Sequence, residues 1–202
     1  MKFEEIKSHL AKYTVGIAGA GGLGSNCAVA LARTGIGKLI VSDFDVVEIS
    51  NLNRQYYFTD QLGIKKVEAL RMNIGRINPE TEVIIHDQIL DPENILDIYK
   101  DAVIIVEAFD RSDMKEMLAE TVIGSWPEKT LVIGSGMAGW GKTNLLRERY
   151  VGDRLIVCGD ESTEISDELP PLAARVGIVA NMQANVVIDV LLKMKLNEDN
   201  TK

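Results

Sequence analysis

The chain has 202 residues, a length typical of one domain, and its 46% hydrophobic and 26% charged residues predict a globular fold with a buried core. Only two cysteines, Cys27 and Cys158, are present, which excludes a disulfide framework and a four-cysteine zinc site. The formal net charge of −8 disfavours a nucleic-acid binder, although a local cationic pocket can still hold an anionic ligand.

The ends and apolar runs of the chain bear on its location. Residues 1–13 lack the long apolar core of a signal peptide. The longest apolar stretch, residues 172–192, is interrupted by polar side chains such as Arg175, so we expect no run of the roughly 18 residues that span a membrane. We therefore expect a cytoplasmic protein with no membrane association, folded as a single domain over residues 1–202 with a disordered tail from about Asn197.

Short β-branched segments alternate with helical patterns along the first two thirds of the chain. Strands are predicted at residues 14–18, 38–43, 82–86, 102–107 and 130–135. Helices are predicted at residues 23–34, 65–77, 92–99 and 113–124. This alternation indicates an α/β fold, with a Rossmann-like, doubly wound and mainly parallel sheet covered by helices on both faces.

The last third of the chain has a different pattern. Residues 144–150 and 154–158 are two predicted strands around Gly152, which indicates a hairpin and a C-terminal antiparallel extension of the sheet. Residues 159–171 contain five acidic residues and no basic one, which is typical of a solvated loop. The predicted final helix, residues 172–194, is apolar nearly all round, so we expect it to be buried or to lie at a subunit interface.

One long segment, residues 44–64, shows no helical or strand periodicity. Structureless loops beyond about 12–15 residues in a compact domain are usually functional or disordered. This segment contains Asn51, Arg54 and Gln55, followed directly by three aromatic residues. That composition is too aromatic for a disordered linker, so we interpret the segment as functional.

A glycine cluster separates the first predicted strand from the first predicted helix. Gly19, Gly21, Gly22 and Gly24 permit a tight turn that brings backbone N–H groups and a helix N-terminus close to a phosphate. Asp43 ends the second strand, where a carboxylate can accept hydrogen bonds from ribose hydroxyls. The combination predicts an adenine-nucleotide site, but the same glycines satisfy the dinucleotide fingerprint of an NAD-dependent oxidoreductase.

Two cations and one acid separate these alternatives. Arg54 and Lys66 follow the second strand and Asp110 follows the fourth, and strand ends of an open α/β sheet converge on one ligand crevice. Cations facing a polyphosphate, with an aspartate near magnesium, suit nucleotidyl transfer, because charge builds on the phosphoryl oxygens and on the departing pyrophosphate. Asp110 can also cap the helix that follows it.

These motifs together resemble one enzyme family. The glycine loop, Asp-Phe-Asp, Ser-Asn-Leu-Asn-Arg-Gln, Gly-x-x-Lys-Val-Glu and the strand-terminal aspartate are similar to those of the ThiF/MoeB/HesA adenylyltransferases, relatives of ubiquitin-activating enzymes. The resemblance covers residues 14–110 and resumes over 176–184, and the short chain looks most like a ThiF-type protein of thiamine biosynthesis. It implies ATP-dependent adenylylation of the C-terminal glycine carboxylate of a ThiS-like sulfur carrier, with release of pyrophosphate.

The resemblance also implies roles for individual residues. Asp43 would bind the ribose beside the four glycines of the loop, Asn51, Arg54 and Lys66 would bind the phosphates, and Asp110 would hold Mg²⁺. Arg54, Lys66 and Asp110 would be the catalytic residues. The partners implied are a ubiquitin-like sulfur carrier with a Gly-Gly C-terminus and a second copy of this chain in a homodimer. A C-terminal carboxylate has a pKa of about 3.5, so it is ionised at neutral pH and needs no general base.

The sequence departs from this family in three ways. It has no Cys-x-x-Cys pairs, so no zinc is expected, and residues 1–13 contain no arginine that could reach a partner subunit. The only thiol near the segment that crosses to the final helix is Cys158. Its neighbours Asp160 and Glu161 disfavour a thiolate, so we interpret Cys158, like Cys27, mainly as a packing residue.

Several other functions stay open from the sequence. One alternative is a non-catalytic, nucleotide-binding scaffold subunit of the same family. A second is an NAD-dependent oxidoreductase. A third stays within the family but adenylylates another acid, such as a molybdopterin carrier tail or a modified tRNA carboxylate, and the net charge of −8 disfavours the tRNA version.

Overall fold

The structure, a computed structural model, describes the backbone of residues 1–200 and the side chains of residues 1–194. The helices are α1 (Phe3–Leu10), α2 (Gly22–Thr34), α3 (Lys66–Ile77), α4 (Pro92–Ile98), α5 (Ser112–Ser125) and α6 (Ala173–Asn200). The strands are β1 (Thr14–Ala18), β2 (Lys38–Ser42), β3 (Glu82–His86), β4 (Ile104–Glu107), β5 (Thr130–Gly134), β6 (Arg147–Val151) and β7 (Leu155–Gly159). Helix α6 continues to Asn200, so the tail that we predict to be disordered from about Asn197 is helical as far as residue 200, and residues 201–202 lie outside the described residues.

The seven strands form one sheet in the order β3-β2-β1-β4-β5-β7-β6. Every neighbouring pair is parallel except β6 and β7, which are antiparallel. The α/β Rossmann-like fold and its antiparallel extension are therefore confirmed. The chain leaves β1 toward β2 and later returns to β4 on the other side, so the carboxyl ends of β1 and β4 form the switch point where ligands bind in such sheets.

Alternate residues of β1 enter two different cores, as expected when side chains alternate across a sheet. Val15 and Ile17 belong to a cluster formed with α1, α2, α3 and α6. Ala18 belongs to a cluster formed with α4 and α5, which contains the fully buried Tyr99. A Cβ on Gly16 would lie 2.6 Å from the Tyr99 ring, so this ring requires glycine in the strand.

The final helix α6 is buried along much of its length, as predicted. Val179, Val187 and Leu191 are fully buried in the core shared with α2. Contrary to the prediction from the sequence, the part Ala173–Met194 is long and apolar enough to cross a membrane by length and composition alone, with a mean hydropathy of 1.4. The hydropathy value is that of an 18-residue window within this part, and 44% of the window is buried inside the fold. We therefore interpret α6 as a core helix.

The structure also differs from the prediction at the N-terminus and in the segment after β2. The N-terminal α1 was not predicted; its His9 and Leu10 are buried, and the His9 ring Nε2 lies 2.9 Å from the Leu191 carbonyl oxygen. The long segment 44–64 contains two 3₁₀ turns, Ile49–Asn51 and Thr59–Gln61. Its position is held by α3, since the Asn73 amide donates to the Tyr56 carbonyl at 2.9 Å and Asn73 also pairs with Gln61.

Candidate functional site

In the turn between β1 and α2, three positions require glycine, each for its own steric reason. Gly19 has a φ of +98°, and a Cβ there would lie 2.9 Å from the Ala108 carbonyl oxygen. A Cβ on Gly24 would lie 1.8 Å from the Gly19 carbonyl oxygen, and one on Gly22 would lie 2.9 Å from a methyl of Val176. These three glycines are required by packing within the protein.

Gly21 is different, because packing does not explain it. A Cβ on Gly21 would have one neighbour within 4 Å, the side-chain nitrogen of Gln55 at 3.9 Å. Gly21 is the N-cap of α2, whose first-turn N–H groups have no acceptor within the helix. The open side of Gly21 therefore leaves room for a ligand against backbone donors, which is the role of the second glycine in phosphate-binding turns.

Asp43 connects this turn to the end of β2. Its Oδ2 accepts a hydrogen bond from the Ala20 N–H at 2.7 Å, and its Oδ1 accepts one from the Asp45 N–H at 2.9 Å. Burial raises the pKa of the Asp43 carboxyl above its usual value, and the nearby Lys66 ammonium and the two backbone donors oppose that rise. The carboxylate thus lies beside the glycine turn, where the sequence places it, and its ribose contact stays a prediction.

Lys66 presents a buried cation to the same edge of the sheet. Only 7% of its side chain is exposed, and its ammonium lies 2.6 Å from Asp45 Oδ2. The Tyr57 hydroxyl donates to the Ala20 carbonyl at 2.7 Å and lies 3.3 Å from the Lys66 carbonyl, which joins the glycine turn to the start of α3. Neither Asp45 nor Tyr57 was assigned a role from the sequence, because both contacts depend on residues distant in the chain.

Arg54 lies over the N-terminus of α2. Its Cγ lies 3.5 Å from the position of a Cβ on Gly22, and its backbone carbonyl accepts a hydrogen bond from the Asn26 amide at 2.9 Å. One guanidinium nitrogen donates to the Ser50 carbonyl at 3.1 Å and to Asn53 Oδ1 at 2.8 Å. The Arg54 stem therefore packs on the glycine turn and its guanidinium is held by Ser50 and Asn53, and its phosphate contact stays a prediction.

Asn51 has a structural use that the sequence did not predict. Its Oδ1 accepts a hydrogen bond from the Glu48 N–H at 2.9 Å and closes the first 3₁₀ turn. Only its amide nitrogen is left for a ligand among the described residues, so its predicted phosphate contact depends on that group.

Asp110 lies on the other side of the turn. The ring of the preceding residue, Phe109, lies 3.4 Å from the position of a Cβ on Gly19. Asp110 is exposed, and α5 has Arg111 as its N-cap, so Asp110 does not cap this helix. Within residues 1–194 no group of three acidic, His or Cys side chains forms a metal site. A single free carboxylate still suits Mg²⁺, which usually takes one or two carboxylates together with substrate phosphates.

The two cysteines are buried and unreactive in character. Both lie in the core cluster that contains α2 and α6, and neither forms a disulfide. Burial, with a smaller contribution from the Glu148 carboxylate, raises the pKa of Cys158 to about 12; burial also raises the pKa of Cys27. The interpretation of both as packing residues is confirmed.

The prediction of a solvated acidic loop after β7 is wrong at the first acidic residue of that loop, Asp160. Asp160 is buried and forms an ion pair with Arg175 of α6. Burial alone would raise its pKa, but hydrogen bonds from Ser162 and Thr163, together with the Arg175 guanidinium, outweigh burial and hold the pKa well below its usual range. The acidic side chain thus fixes the crossover to α6, because it can pair with a cation from a distant helix.

Residues 3–202 match the model of the ThiF family. This chain belongs to the ThiF family. It is 32% identical over 148 residues to the adenylyltransferase and sulfurtransferase UBA4 of Scheffersomyces stipitis, which covers 72% of this chain and 33% of that protein. It is 44% identical over 85 residues to the ubiquitin-like modifier-activating enzyme 5 of Caenorhabditis briggsae, 42% of this chain and 19% of that protein. The chain thus spans a third or less of the length of these relatives.

Solved structures share the fold over nearly the whole chain. The tRNA N6-threonylcarbamoyladenosine dehydratase TcdA of E. coli, in complex with AMP, has a TM-score of 0.86 at 20% identity and covers 95% of this chain and 91% of its own. The same protein in complex with ATP has a TM-score of 0.83 at 21% identity, covering 96% and 91%. At these identities the likeness establishes the fold, that of the ThiF-family adenylyltransferases.

Proposed function

We propose that this ThiF-family chain uses ATP to adenylylate the C-terminal glycine carboxylate of a ubiquitin-like, ThiS-like sulfur carrier ending in Gly-Gly, in thiamine biosynthesis. The observation that carries the proposal is the buried Lys66, held together with Asp43 and Arg54 around a glycine turn whose Gly21 has no packing reason to be glycine. A buried ammonium at the same edge of the sheet as the glycine turn suits a polyphosphate.

The reaction follows from these groups. A carboxylate oxygen of the carrier attacks the α-phosphorus of ATP, the bond to the bridging oxygen breaks, and pyrophosphate leaves with its electron pair. Lys66 and Arg54 stabilise the charge that develops on the phosphoryl oxygens and on the leaving group. Mg²⁺, held by Asp110 and the phosphates, would supply further neutralisation. Because the attacking carboxylate is already ionised, no side chain has to remove a proton.

Two comparisons support ATP as the nucleotide and a ubiquitin-like protein as the partner. TcdA, whose fold this chain shares, binds AMP and ATP. The curated relatives include an adenylyltransferase and ubiquitin-like modifier-activating enzymes. A sulfur-transfer step through Cys158 is not part of the proposal, because its thiol is buried and its pKa of about 12 leaves almost no thiolate at neutral pH.

The decisive experiment is ATP–pyrophosphate exchange with a panel of Gly-Gly-tailed carriers. Exchange should need the free C-terminal carboxylate and should stop when that carboxylate is amidated. No exchange with any carrier would remove the proposal. Tight ATP binding without exchange would then favour the scaffold alternative, and tight NAD binding without ATP binding would favour the oxidoreductase.

The role of Asp110 has its own test. Asp110→Ala should abolish exchange while ATP still binds measurably, because the magnesium ligand is lost and the glycine turn is intact. Asp113→Ala is the matched control, since Asp113 is an exposed aspartate of the same region that pairs with Arg111. Full activity of Asp110→Ala would exclude Asp110 from the mechanism.

A second candidate substrate is a carboxylate carried on a modified tRNA. It is favoured by the nearly complete overlap with the tRNA-modifying TcdA, which covers 95% of this chain. The net charge of −8 is unfavourable for tRNA binding. Exchange stimulated by threonylcarbamoyladenosine-containing tRNA, and by no carrier protein, would select this candidate.

The same proposal includes a homodimer. Strand β6 is at the edge of the sheet, and its Tyr150 and Val151 are exposed, as is Ile178 of α6. Exposed apolar side chains next to an unpaired strand edge are typical of an interface. Analytical ultracentrifugation that detects only monomer at micromolar concentration would contradict the dimer.

A further inference from the structure

Gln55 has an unusual environment for a buried glutamine. It lies in the segment between β2 and α3, directly after Arg54, and only 8% of it is exposed. Its backbone is held on both sides, because its N–H donates to the Asn51 carbonyl at 2.9 Å and its carbonyl accepts from the Tyr57 N–H at 2.8 Å. The backbone of Gln55 is therefore held within a turn.

The side-chain amide of Gln55 makes no hydrogen bond to any residue that the structure describes, and its Oε1 is completely buried. Gln61, a buried glutamine of the same segment, shows the usual arrangement. Its Nε2 donates to the Ala69 carbonyl and to Asn73 Oδ1, and its Oε1 accepts from Phe58. The Gln55 Oε1 is a buried acceptor without a donor, whereas its Nε2 is not completely buried and has no acceptor among the described residues. Hydrogen bonding within the protein therefore does not explain this glutamine, and the Nε2 donor is available to a ligand.

The free amide faces the glycine turn. Its Nε2 lies 3.9 Å from the position of a Cβ on Gly21 and is the one atom within 4 Å of that position. Gly21 caps a helix of 13 residues, whose first-turn N–H groups are free to bind an anion. A phosphate seated on these backbone donors is thus within reach of the Gln55 amide, with the Arg54 side chain on the neighbouring Gly22.

We propose that Gln55 is a phosphate-binding residue of the nucleotide site, whose side-chain N–H₂ donates to a phosphate of the bound nucleotide. This rests on the proposed function for the identity of the nucleotide. The buried position lets the amide bind with little loss of side-chain freedom, since burial already restricts its rotamers. Gly21 and Gln55 then act as one unit, in which the missing Cβ makes room for the phosphate and the amide binds it.

The test compares binding of ATP, ADP, AMP and adenosine by isothermal titration calorimetry, with Mg²⁺ present. Gln55→Met keeps the length of the side chain and removes its donor. It should weaken ATP binding about tenfold, as expected for a hydrogen bond to a charged group, and leave adenosine binding unchanged. The step in the series from adenosine to ATP at which the loss begins identifies the phosphate that Gln55 binds.

Gln61→Met is the matched control. It removes an amide that is fully bonded within the protein, so it should lower the melting temperature but preserve the ratio of ATP to adenosine affinity. Gln55→Met should leave the melting temperature of the free protein unchanged or raised, since it replaces an unpaired buried amide by an apolar group. Gln55→Glu is a second variant, and its negative charge should weaken ATP binding more strongly than the methionine does.

The outcomes separate this inference from the proposed function. An unchanged ratio of ATP to adenosine affinity in both Gln55 variants overturns the role of Gln55, even if the wild type catalyses exchange. A Gln55-dependent ratio in a protein that catalyses no exchange supports Gln55 and overturns the proposed function. A wild type that binds adenosine as tightly as ATP and catalyses no exchange overturns both.

Discussion

Two regions of the molecule each contain a buried cation paired with an aspartate, and the two pairs differ in what surrounds them. In the candidate site, Lys66 is buried, but its partner Asp45 is 48% exposed. In the crossover region after β7, both Arg175 and Asp160 are buried, with 4% and 1% of their side chains exposed. The first pair opens to solvent on its acidic side, whereas the second is closed.

The hydrogen bonds around the two pairs show the same difference. Asp160 also accepts hydrogen bonds from Ser162 and Thr163, and Arg175 also donates to the Gly141 carbonyl. The Lys66 ammonium has Asp45 as its one bonded partner among the described residues. A polyphosphate can therefore replace Asp45 as the partner of the Lys66 ammonium with a small free-energy penalty, because water can solvate the exposed Asp45 carboxylate. Breaking the second pair would instead leave an uncompensated buried charge. The Lys66–Asp45 pair is therefore suited to ligand binding, and the Arg175–Asp160 pair to stabilising the fold.

The largest expected effect concerns the open pair. Lys66→Met should lower ATP–pyrophosphate exchange about 100- to 1000-fold, because a preorganised positive charge is lost where the leaving group becomes charged. Lys65→Met is the control, since Lys65 is 44% exposed and pairs with Asp87. Steady-state exchange rates of the two variants measure the contrast. Equal rates would mean that burial of the cation has no catalytic use.

The closed pair should instead control stability. Arg175→Met should lower the free energy of unfolding by about 3–5 kcal/mol, because Asp160 is left buried without its cation. Arg149→Met should lower it much less, because the Arg149 side chain of the Arg149–Glu161 pair is 47% exposed and solvent screens the charge. Urea denaturation followed by circular dichroism gives both values. Similar decreases in the free energy of unfolding for the two variants would show that the Arg175–Asp160 pair has no special role in stabilising the fold.

The closed pair should also show in the pH dependence of stability. The folded pKa of Asp160 is lowered, so its contribution is present above the unfolded pKa of about 3.9 and is lost as the pH falls toward the folded value. The difference in unfolding free energy between wild type and Asp160→Asn should therefore be constant from about pH 5 to 8 and shrink below about pH 4. A difference that grows on acidification would reverse the assigned direction of the pKa.

The smallest expected effect tests whether the crossover region carries chemistry. Native protein should not react with a thiol reagent such as dithionitrobenzoate within minutes, and unfolded protein should expose both of its cysteines. Cys158→Ala should leave exchange unchanged, because the buried thiol contacts core residues and not the nucleotide site. Rapid labelling of Cys158 in the folded state would show instead that β7 opens to solvent.

The fold was predictable from the sequence where short-range patterns determine it. Strand β1 and its glycine turn follow from a β-branched run and a glycine cluster, and β3 was predicted with the bounds that the structure has. Helix α1 was missed because its local pattern is short and charged. The burial of His9 and Leu10 depends on Leu191 and its neighbours in α6, which no local pattern contains.

The candidate site divides in the same way. Gly21, Asp43 and Lys66 belong to motifs whose spacing is visible along the chain, and the structure brings them to one edge of the sheet. The open amide of Gln55 was not visible, because its lack of partners depends on how the segment after β2 packs over α2. Likewise, nothing local distinguishes Asp160 from the exposed acidic residues that follow it.

The sequence by itself determined the parallel α/β sheet, the glycine turn and the types of charged residue available near a phosphate. Backbone propensity and hydrophobic period act over a few residues, so the chain carries this information locally. Only the tertiary structure decided which charges are buried and which partners they have, as with Lys66 beside Asp45 and Asp160 beside Arg175. Burial and ion pairing join residues that are distant in sequence, and their energies depend on the surrounding packing.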